Sequence, residues 1–350
     1  MEQKQVIGTE LLDGQGLGNQ LFCYVTTRCI AQRLGADFSI LNREILANNI
    51  HSQKGMYFMD LDCGQELQKS DFSNIYHEKE DRIFMGNSRH DRKKGCYVSG
   101  TDQGMLDLDG NTLLYGNMQA QDYFREYKDE IKKWLAVYPE YDHREYSKEN
   151  LCIINIRGGE YAGEGCLFLR RKYWMDAMKH MRQERSDMEF VVITDDLVAA
   201  NRILPEVKAY HFDLAGDYTI IKNARYLILS NSTFAFFPAY TSETAKKIIA
   251  PKYWARHNVS DGYWSSEQNI YDEFEYMDRK GKLWTAEECR KELVQYKKKS
   301  AKYRRINQPL NKMQLIFSVM KERKIWFCFM AGRVFRSLRK RISGKCKTDK

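Results

Sequence analysis

LCIINIRGGEY, residues 151–161, sets the fold class. Its first six residues, Leu151–Ile156, are apolar except for Asn155, the pattern of a strand buried on both faces, and two glycines release the chain just after Arg157. Working outward, Phe190–Thr194, Tyr210–Asp213, Tyr226–Leu229 and Lys247–Ala250 are further strand-like runs. Helix-like stretches alternate with them at 172–185, 197–204, 217–225 and 234–246. That alternation predicts βαβ units and a parallel sheet covered on both faces. Such sheets bind ligands beyond the carboxyl ends of their strands. The groups just past the strand ends are Arg157, Thr194-Asp195-Asp196, Asp213 and Ser230-Asn231-Ser232-Thr233, which should converge on one rim.

The N-terminal half opens in the same way. VIGTELL (6–12) reads as a strand, DGQGLGN (13–19) as a glycine-rich turn, and Leu21, Phe22, Val25, Cys29 and Ile30 as one face of the helix that follows. LLYG (113–116) is strand-like, and Asp122 to Leu135 a helix closed by Pro139. Residues 42–110 yield no assignable elements. The polar run YDHREYSKEN (141–150) marks a boundary near residue 147. At 350 residues the chain is long enough for two cores, so the expected class is α/β with two Rossmann-like lobes, 1–147 and 148–296, and a basic tail, 297–350.

Charge separates the tail from the body. Residues 297–350 hold 18 Lys and Arg against Glu322 and Asp349, a net of +16, which leaves residues 1–296 at −7 out of the chain's +9. An acidic body argues against a nucleic-acid-binding main domain. The nine cysteines form no C-x-x-C pair and their number is odd, so reduced thiols are expected. The N-terminal residues lack an apolar signal region and no run of about 18 apolar residues occurs, so a cytoplasmic location is expected. On that basis the sequons at Asn231 and Asn258 are chance patterns.

Each motif has a chemical use and a plain structural one. The glycine loop around Gly16, Gly18 and Asn19 can bring backbone amides to an anion, or serve as a tight connection with Asn19 as helix cap. Arg157 offers a planar fork suited to a diphosphate, or pairs with Glu160. Ser230, Asn231, Ser232 and Thr233 can cap a helix, bind phosphate, or do both. Thr194, Asp195 and Asp196 can hold a ribose or base, or cap the next helix. The pairs Asp60/Asp62 and Asp107/Asp109 fit turns better than a metal site, and the seven histidines show no ligand spacing, so no metal is expected.

Taken in order, these blocks resemble glycosyltransferase family 11, the α-1,2-fucosyltransferases, through roughly residues 6–255. The carriers are GLGNQLFCYVTTRCIAQRLGA from Gly16, LYGNMQAQDYF (114–124), NIRGGEY (155–161), RKYWMDAM, FVVITDD, LILSNSTFAFFPAY and IIAPKYW. The family's central signature is His-x-Arg-Arg-Gly-Asp-Tyr; here Asn155, Gly158 and Glu160 stand in place of its His, second Arg and Asp. The resemblance implies a GT-B fold, with an acceptor-side lobe at 1–147 and a donor-binding lobe at 148–296. It also implies inverting, metal-independent transfer from a donor such as GDP-fucose, with no cofactor. Arg157 inherits the diphosphate contact, and Ser232 and Thr233 the donor-facing turn. Inversion needs a base for the acceptor hydroxyl, for which Glu160 and Asp13 are the candidates. The altered signature leaves two alternatives: another nucleotide-sugar donor on the same fold, or a nucleotide-sugar-binding protein without activity.

In the tail, Ala331, Val334, Phe335, Leu338 and Ile342 share one helical face, with Arg333, Arg336, Arg339, Lys340 and Arg341 spread elsewhere. That pattern predicts an interfacial helix on an anionic membrane surface rather than a span. It would put the enzyme at the inner face of the membrane, beside a glycan or lipid-linked oligosaccharide acceptor of the kind that capsule or O-antigen assembly uses. A helix packed on the body, a disordered end, and a tail that binds nucleic acid are the alternatives.

Overall fold

The computed structural model describes residues 5–48, 54–83, 96–254, 257–258 and 266–299, with isolated positions at 313, 316, 320, 327 and 331. Among these residues the strands are β1 (Val6–Glu10), β2 (Asp37–Leu41), β3 (Asn74–His77), β4 (Glu80–Ile83), β5 (Cys96–Ser99), β6 (Thr112–Tyr115), β7 (Leu151–Ile156), β8 (Glu189–Thr194), β9 (Ala209–Tyr210), β10 (Tyr226–Ile228), β11 (Lys247–Pro251), β12 (Glu275–Met277) and β13 (Leu283–Trp284). The α-helices are α1 (Leu17–Leu34), α2 (Lys128–Trp134), α3 (Arg171–Glu184), α4 (Leu197–Ile203), α5 (Leu214–Asn223), α6 (Phe236–Tyr240) and α7 (Ala286–Lys299).

One compact unit runs to Lys79 and resumes from Ser99 to Tyr296, and it holds two parallel sheets. The first has the order β2-β1-β6-β3, the second β13-β12-β11-β10-β7-β8-β9, with only β13 antiparallel. The α/β class with two parallel sheets is the one expected from the sequence. The last strand of the first sheet ends at Tyr115 and the second sheet begins at Leu151, so the polar run at 141–150 lies between them. The second unit comprises 80–98 and 297–350; within it β4 pairs with β5. Apart from five isolated positions, the basic tail beyond Lys299 lies outside the described residues.

Strand order fixes where a ligand can sit. From β7 the chain moves outward through β8 and β9, then crosses back to β10 on the other side of β7. The crevice at that reversal opens between the carboxyl ends of β7 and β10, where Arg157 and Ser230 follow. In the first sheet β1 has β2 on one side and β6 on the other, so the equivalent place is the loop after β1 that carries the glycines.

The second sheet owes its core to the continuous apolar run of β7. Cys152, Ile154 and Ile156 pack in one buried cluster with Tyr173, Trp174, Ala177, Met178 and Met181 of α3. Each such large apolar side chain contributes about 1.5–3 kcal/mol by leaving water. Helix α1 departs from the expected one-sided pattern, for Phe22, Tyr24, Val25, Thr26, Thr27 and Cys29 are all buried. The cause is a second partner: Phe22 stacks on Phe236 with centroids 4.7 Å apart and tilts against Phe237 at 4.8 Å.

Three other expectations are corrected. The helix expected over 234–246 is a 3-10 turn at Thr233–Ala235 followed by the short α6; Thr241 Oγ1 bonds back to Phe237 O at 2.8 Å, and Ser242 Oγ accepts from the amides of Thr244 and Ala245, turning the chain. The strand expected over Tyr210–Asp213 stops at Tyr210, and α5 begins earlier than expected because Asp213 caps it, accepting from Gly216 N at 2.9 Å. The helix expected from Asp122 is two 3-10 turns before α2 begins at Lys128.

The segment from Ser266 to Glu273 joins the two halves. Gln268 and Asn269 donate to Gln119 Oε1 at 2.7 and 3.0 Å, Asp272 pairs with Arg125 at 2.9 Å, and Glu273 with Lys128 at 2.7 Å. The chain then enters the second sheet as β12.

Candidate functional site

Arg157 sits where β7 ends, its side chain 20% exposed. Nη2 lies 2.8 Å from both carboxylate oxygens of Glu160, and Nη1 lies 2.7 Å from Asp195 Oδ2. The pairing with Glu160 allowed by the sequence is therefore present, and Asp195 is a second partner that the sequence did not single out. Asp195 Oδ1 also accepts from Gly158 N at 2.7 Å, so one carboxylate fixes both the guanidinium and the first residue of the glycine turn. Glu160 lies on the 3-10 turn Gly159–Gly163 and its side chain is 61% exposed. Asp195 is anchored at a strand end, whereas Glu160 is a solvent-facing group on a turn. The Tyr161 ring lies 5.9 Å from the Arg157 carbon, and burial pushes its phenol above the usual range.

The three altered signature positions each have a structural account. Asn155 is buried; its Oδ1 accepts from Ser230 Oγ at 3.0 Å, joining the ends of β7 and β10 beneath the crevice. At Gly158 a Cβ would overlap the Cβ of Asp196, so the Asp196 side chain excludes a second arginine there unless it moves. Glu160 reaches Arg157 itself.

The triplet after β8 divides its work. Thr194 Oγ1 accepts from Asp196 N at 3.1 Å, and Asp196 caps α4 by accepting from Ala199 N at 2.9 Å, so two of its members serve the turn while Asp195 faces Arg157. In the run after β10, Ser230 is held by Asn155, Asn231 donates to Leu167 O at 3.1 Å, and Ser232 caps the following turn through Phe234 N at 3.4 Å.

Gly18 meets this run directly. A Cβ there would lie inside the backbone of Thr233 and Phe234, so the first turn of α1 and the turn after β10 touch main chain to main chain. The glycine loop of the first sheet and the Ser230–Thr233 run of the second are thus brought together. Gly16, not Asn19, is the helix cap, and it supplies no side-chain bond. Asn19 instead accepts from Gln119 Nε2 at 3.2 Å. Asp13 is exposed and its carboxylate accepts from Gly14 N at 2.9 Å.

Two groups near these elements were missed by sequence reasoning. Gln119 bonds Asn19 and accepts from Gln268 and Asn269; its only signal was its place in LYGNMQAQDYF. His211 follows β9, its Nδ1 2.8 Å from Asp217 Oδ2. That hydrogen bond raises the His211 pKa, while burial raises that of Asp217. No signal for this pair existed, because His211 and Asp217 face each other only through the tight start of α5. Among the described residues no group of three or more His, Cys, Asp or Glu is gathered for a metal, and Asp62 serves a turn, accepting from Gly64 N at 2.9 Å.

A scan against models of protein families finds none that matches. Among curated proteins, an alpha-1,2-colitosyltransferase of Escherichia coli is 23% identical over 166 residues, 42% of this chain and 57% of that protein. The matched region thus spans little more than half of the relative. Among solved structures, NodZ α-1,6-fucosyltransferase soaked with GDP-fucose superposes with a TM-score of 0.42 at 11% identity, covering 71% of this chain and 95% of that one. POFUT1 in complex with GDP-fucose gives 0.37 at 9% identity, covering 71% and 98%. Superpositions this loose transfer no residue roles.

Proposed function

We propose that this chain is a glycosyltransferase acting from a nucleoside-diphosphate sugar, with GDP-fucose as donor and an α-1,2 linkage to a glycan or lipid-linked oligosaccharide as product. The observation that carries the reading is the position of Arg157, a guanidinium at the reversal of strand order, next to the turn Ser230–Thr233. That is where a parallel sheet receives a nucleotide, and a fixed cation there suits the charge that develops on a departing diphosphate. The first sheet's glycine loop closes against the same turn through Gly18, which suits a donor enclosed between two sheets.

In this account the diphosphate takes the place of the Glu160 carboxylate on Arg157 Nη2, since both are anions that accept charge-assisted bonds from that nitrogen. Asp195 keeps the guanidinium in place during the exchange. Glu160, once released, is the base for the acceptor hydroxyl, with Asp13 as the alternative. A colitosyl donor is the second reading, favoured by the E. coli relative, which is named as an alpha-1,2-colitosyltransferase.

The test is incubation of the purified chain with radiolabelled GDP-fucose, GDP-colitose and UDP-sugars, following donor hydrolysis and nucleotide binding. Turnover of a GDP-sugar is expected. Binding without turnover of any donor would replace the enzyme by a nucleotide-sugar-binding protein.

A further inference from the structure

Strand order also reverses in the first sheet. From β1 the chain moves out to β2 and then returns to the other side of β1, where β3 and β6 lie. A parallel sheet receives its ligand outside the carboxyl ends at such a reversal. Glu10 and Tyr115 are the last residues of β1 and β6, the two strands that flank it. Leu41 of β2 is in register with Glu10 and His77 of β3 with Tyr115, so the four form one row across the carboxyl end of the sheet. Polar groups gather on this row. Glu10 Oε2 accepts from the Tyr115 hydroxyl and from Lys69 Nζ at 3.4 Å, and Oε1 accepts from Asn42 Nδ2 at 3.3 Å. The His77 ring lies on the Tyr115 ring, with centroids 5.2 Å apart and planes 18° apart. Asn42, Lys69 and His77 are exposed, and Glu10 is partly so. Among the described residues, Asn42 Oδ1 and both ring nitrogens of His77 make no hydrogen bond, so the row keeps donors and acceptors to spare.

We propose that this row is the subsite for a neutral pyranose of the acceptor glycan, an inference that rests on the transferase reading. The chemistry of the row selects that ligand. The bond from Tyr115 holds the Glu10 carboxyl below its ordinary range, so at neutral pH a carboxylate stands beside the Lys69 ammonium. A phosphate or an acidic sugar would meet that carboxylate, and an apolar partner would strip water from the charges without replacing its bonds. The hydroxyls of a neutral sugar both donate and accept, so neighbouring ones can bond Glu10 and Lys69 together while the C–H face of the ring rests on the His77 and Tyr115 stack. Both flanking loops lead from the row towards the donor side. Residues 11–16 run from Glu10 to α1, where Gly18 meets the Thr233 backbone, and residues 116–118 run from Tyr115 to Gln119, which bonds Asn19.

Full-length protein saturated with GDP is screened on an array of neutral, sialylated and sulfated oligosaccharides, and the best-retained neutral one is titrated by calorimetry. Retention of neutral glycans, insensitive to added salt, is expected. Glu10→Gln should weaken that binding about 10-fold, because it removes a charged acceptor. His77→Ala should weaken it about 3- to 10-fold through the lost ring face. His77→Ala breaks no side-chain hydrogen bond among the described residues, so it keeps the test valid if Glu10→Gln lowers the melting temperature. Wild-type glycan affinity in both variants, retention of acidic glycans alone, or retention of none would overturn the proposal. Hydrolysis of labelled GDP-fucose separates this failure from that of the transferase reading. Donor hydrolysis with glycan affinity untouched by both variants removes the subsite and leaves the transferase; weakened glycan binding in the variants of a protein that hydrolyses no donor keeps the sugar site and removes the transferase.

Discussion

A guanidinium held by two carboxylates at different exposures is primed for exchange of one of them. Asp195 is 14% exposed and also holds the Gly158 amide, while Glu160 is 61% exposed and lies on a short 3-10 turn. Glu160→Gln should therefore tighten binding of a nucleoside diphosphate several-fold, about 3–10-fold by calorimetry, because it removes an internal competitor of modest strength. The same variant should lower turnover if the released carboxylate is the base, so affinity and rate move in opposite directions. His211 offers a pH test. Its pKa is raised by the bond to Asp217, so the stabilisation is complete below the ordinary histidine range and is lost as pH rises through the raised value. The wild-type melting temperature should fall across that window, from about pH 6 upward, and His211→Gln should flatten that dependence.

At the scale of elements, close approach of a neighbouring segment accounts for two glycines more fully than any ligand does. Gly18→Ala drives a methyl into the Thr233 main chain and should cost about 1–3 kcal/mol, seen as a lower melting temperature whether or not nucleotide is present. Gly158→Ala meets the Asp196 side chain instead and should disturb both the cap of α4 and the seat of Asp195. The second sheet was legible in the sequence because β7 is apolar but for Asn155 and α3 after it is an ordinary amphipathic helix. What stayed illegible depended on partners far along the chain. The all-round burial of α1 comes from Phe236, more than 200 residues away, and the shortness of α6 comes from hydroxyls that bond back to the chain. Residues 42–110 resisted assignment because β3 and β6 pair only through long connections and β3 is mostly exposed, so no periodicity marks it. The site was half legible: strand ends named Arg157 and the Ser230–Thr233 run, but the partner roles of Asp195 and Gln119 follow from strand order and chain return.

For the molecule as a whole, the last described helix is bound to the second sheet by a buried charge. Lys252 is fully buried, its Nζ 2.7 Å from Glu292 of α7 and 3.3 Å from the centre of the Trp284 ring. Glu292→Ala would leave that cation unpaired and should cost about 3–5 kcal/mol, a drop on the order of ten degrees in melting temperature. That pair holds α7 to the end of β11, and the bonds from Gln268, Asn269, Asp272 and Glu273 tie the segment before β12 to Gln119, Arg125 and Lys128 of the first half. The central claim is that Arg157 at the strand-order reversal grips the donor's diphosphate. Its most direct test is the affinity of GDP for wild type and for Arg157→Lys, measured by calorimetry with thermal melting as a control on the fold. The account predicts a loss of roughly 10- to 100-fold for the lysine variant, which keeps the charge but loses the fork, with the melting temperature nearly unchanged. Equal GDP affinity in the two proteins would contradict it.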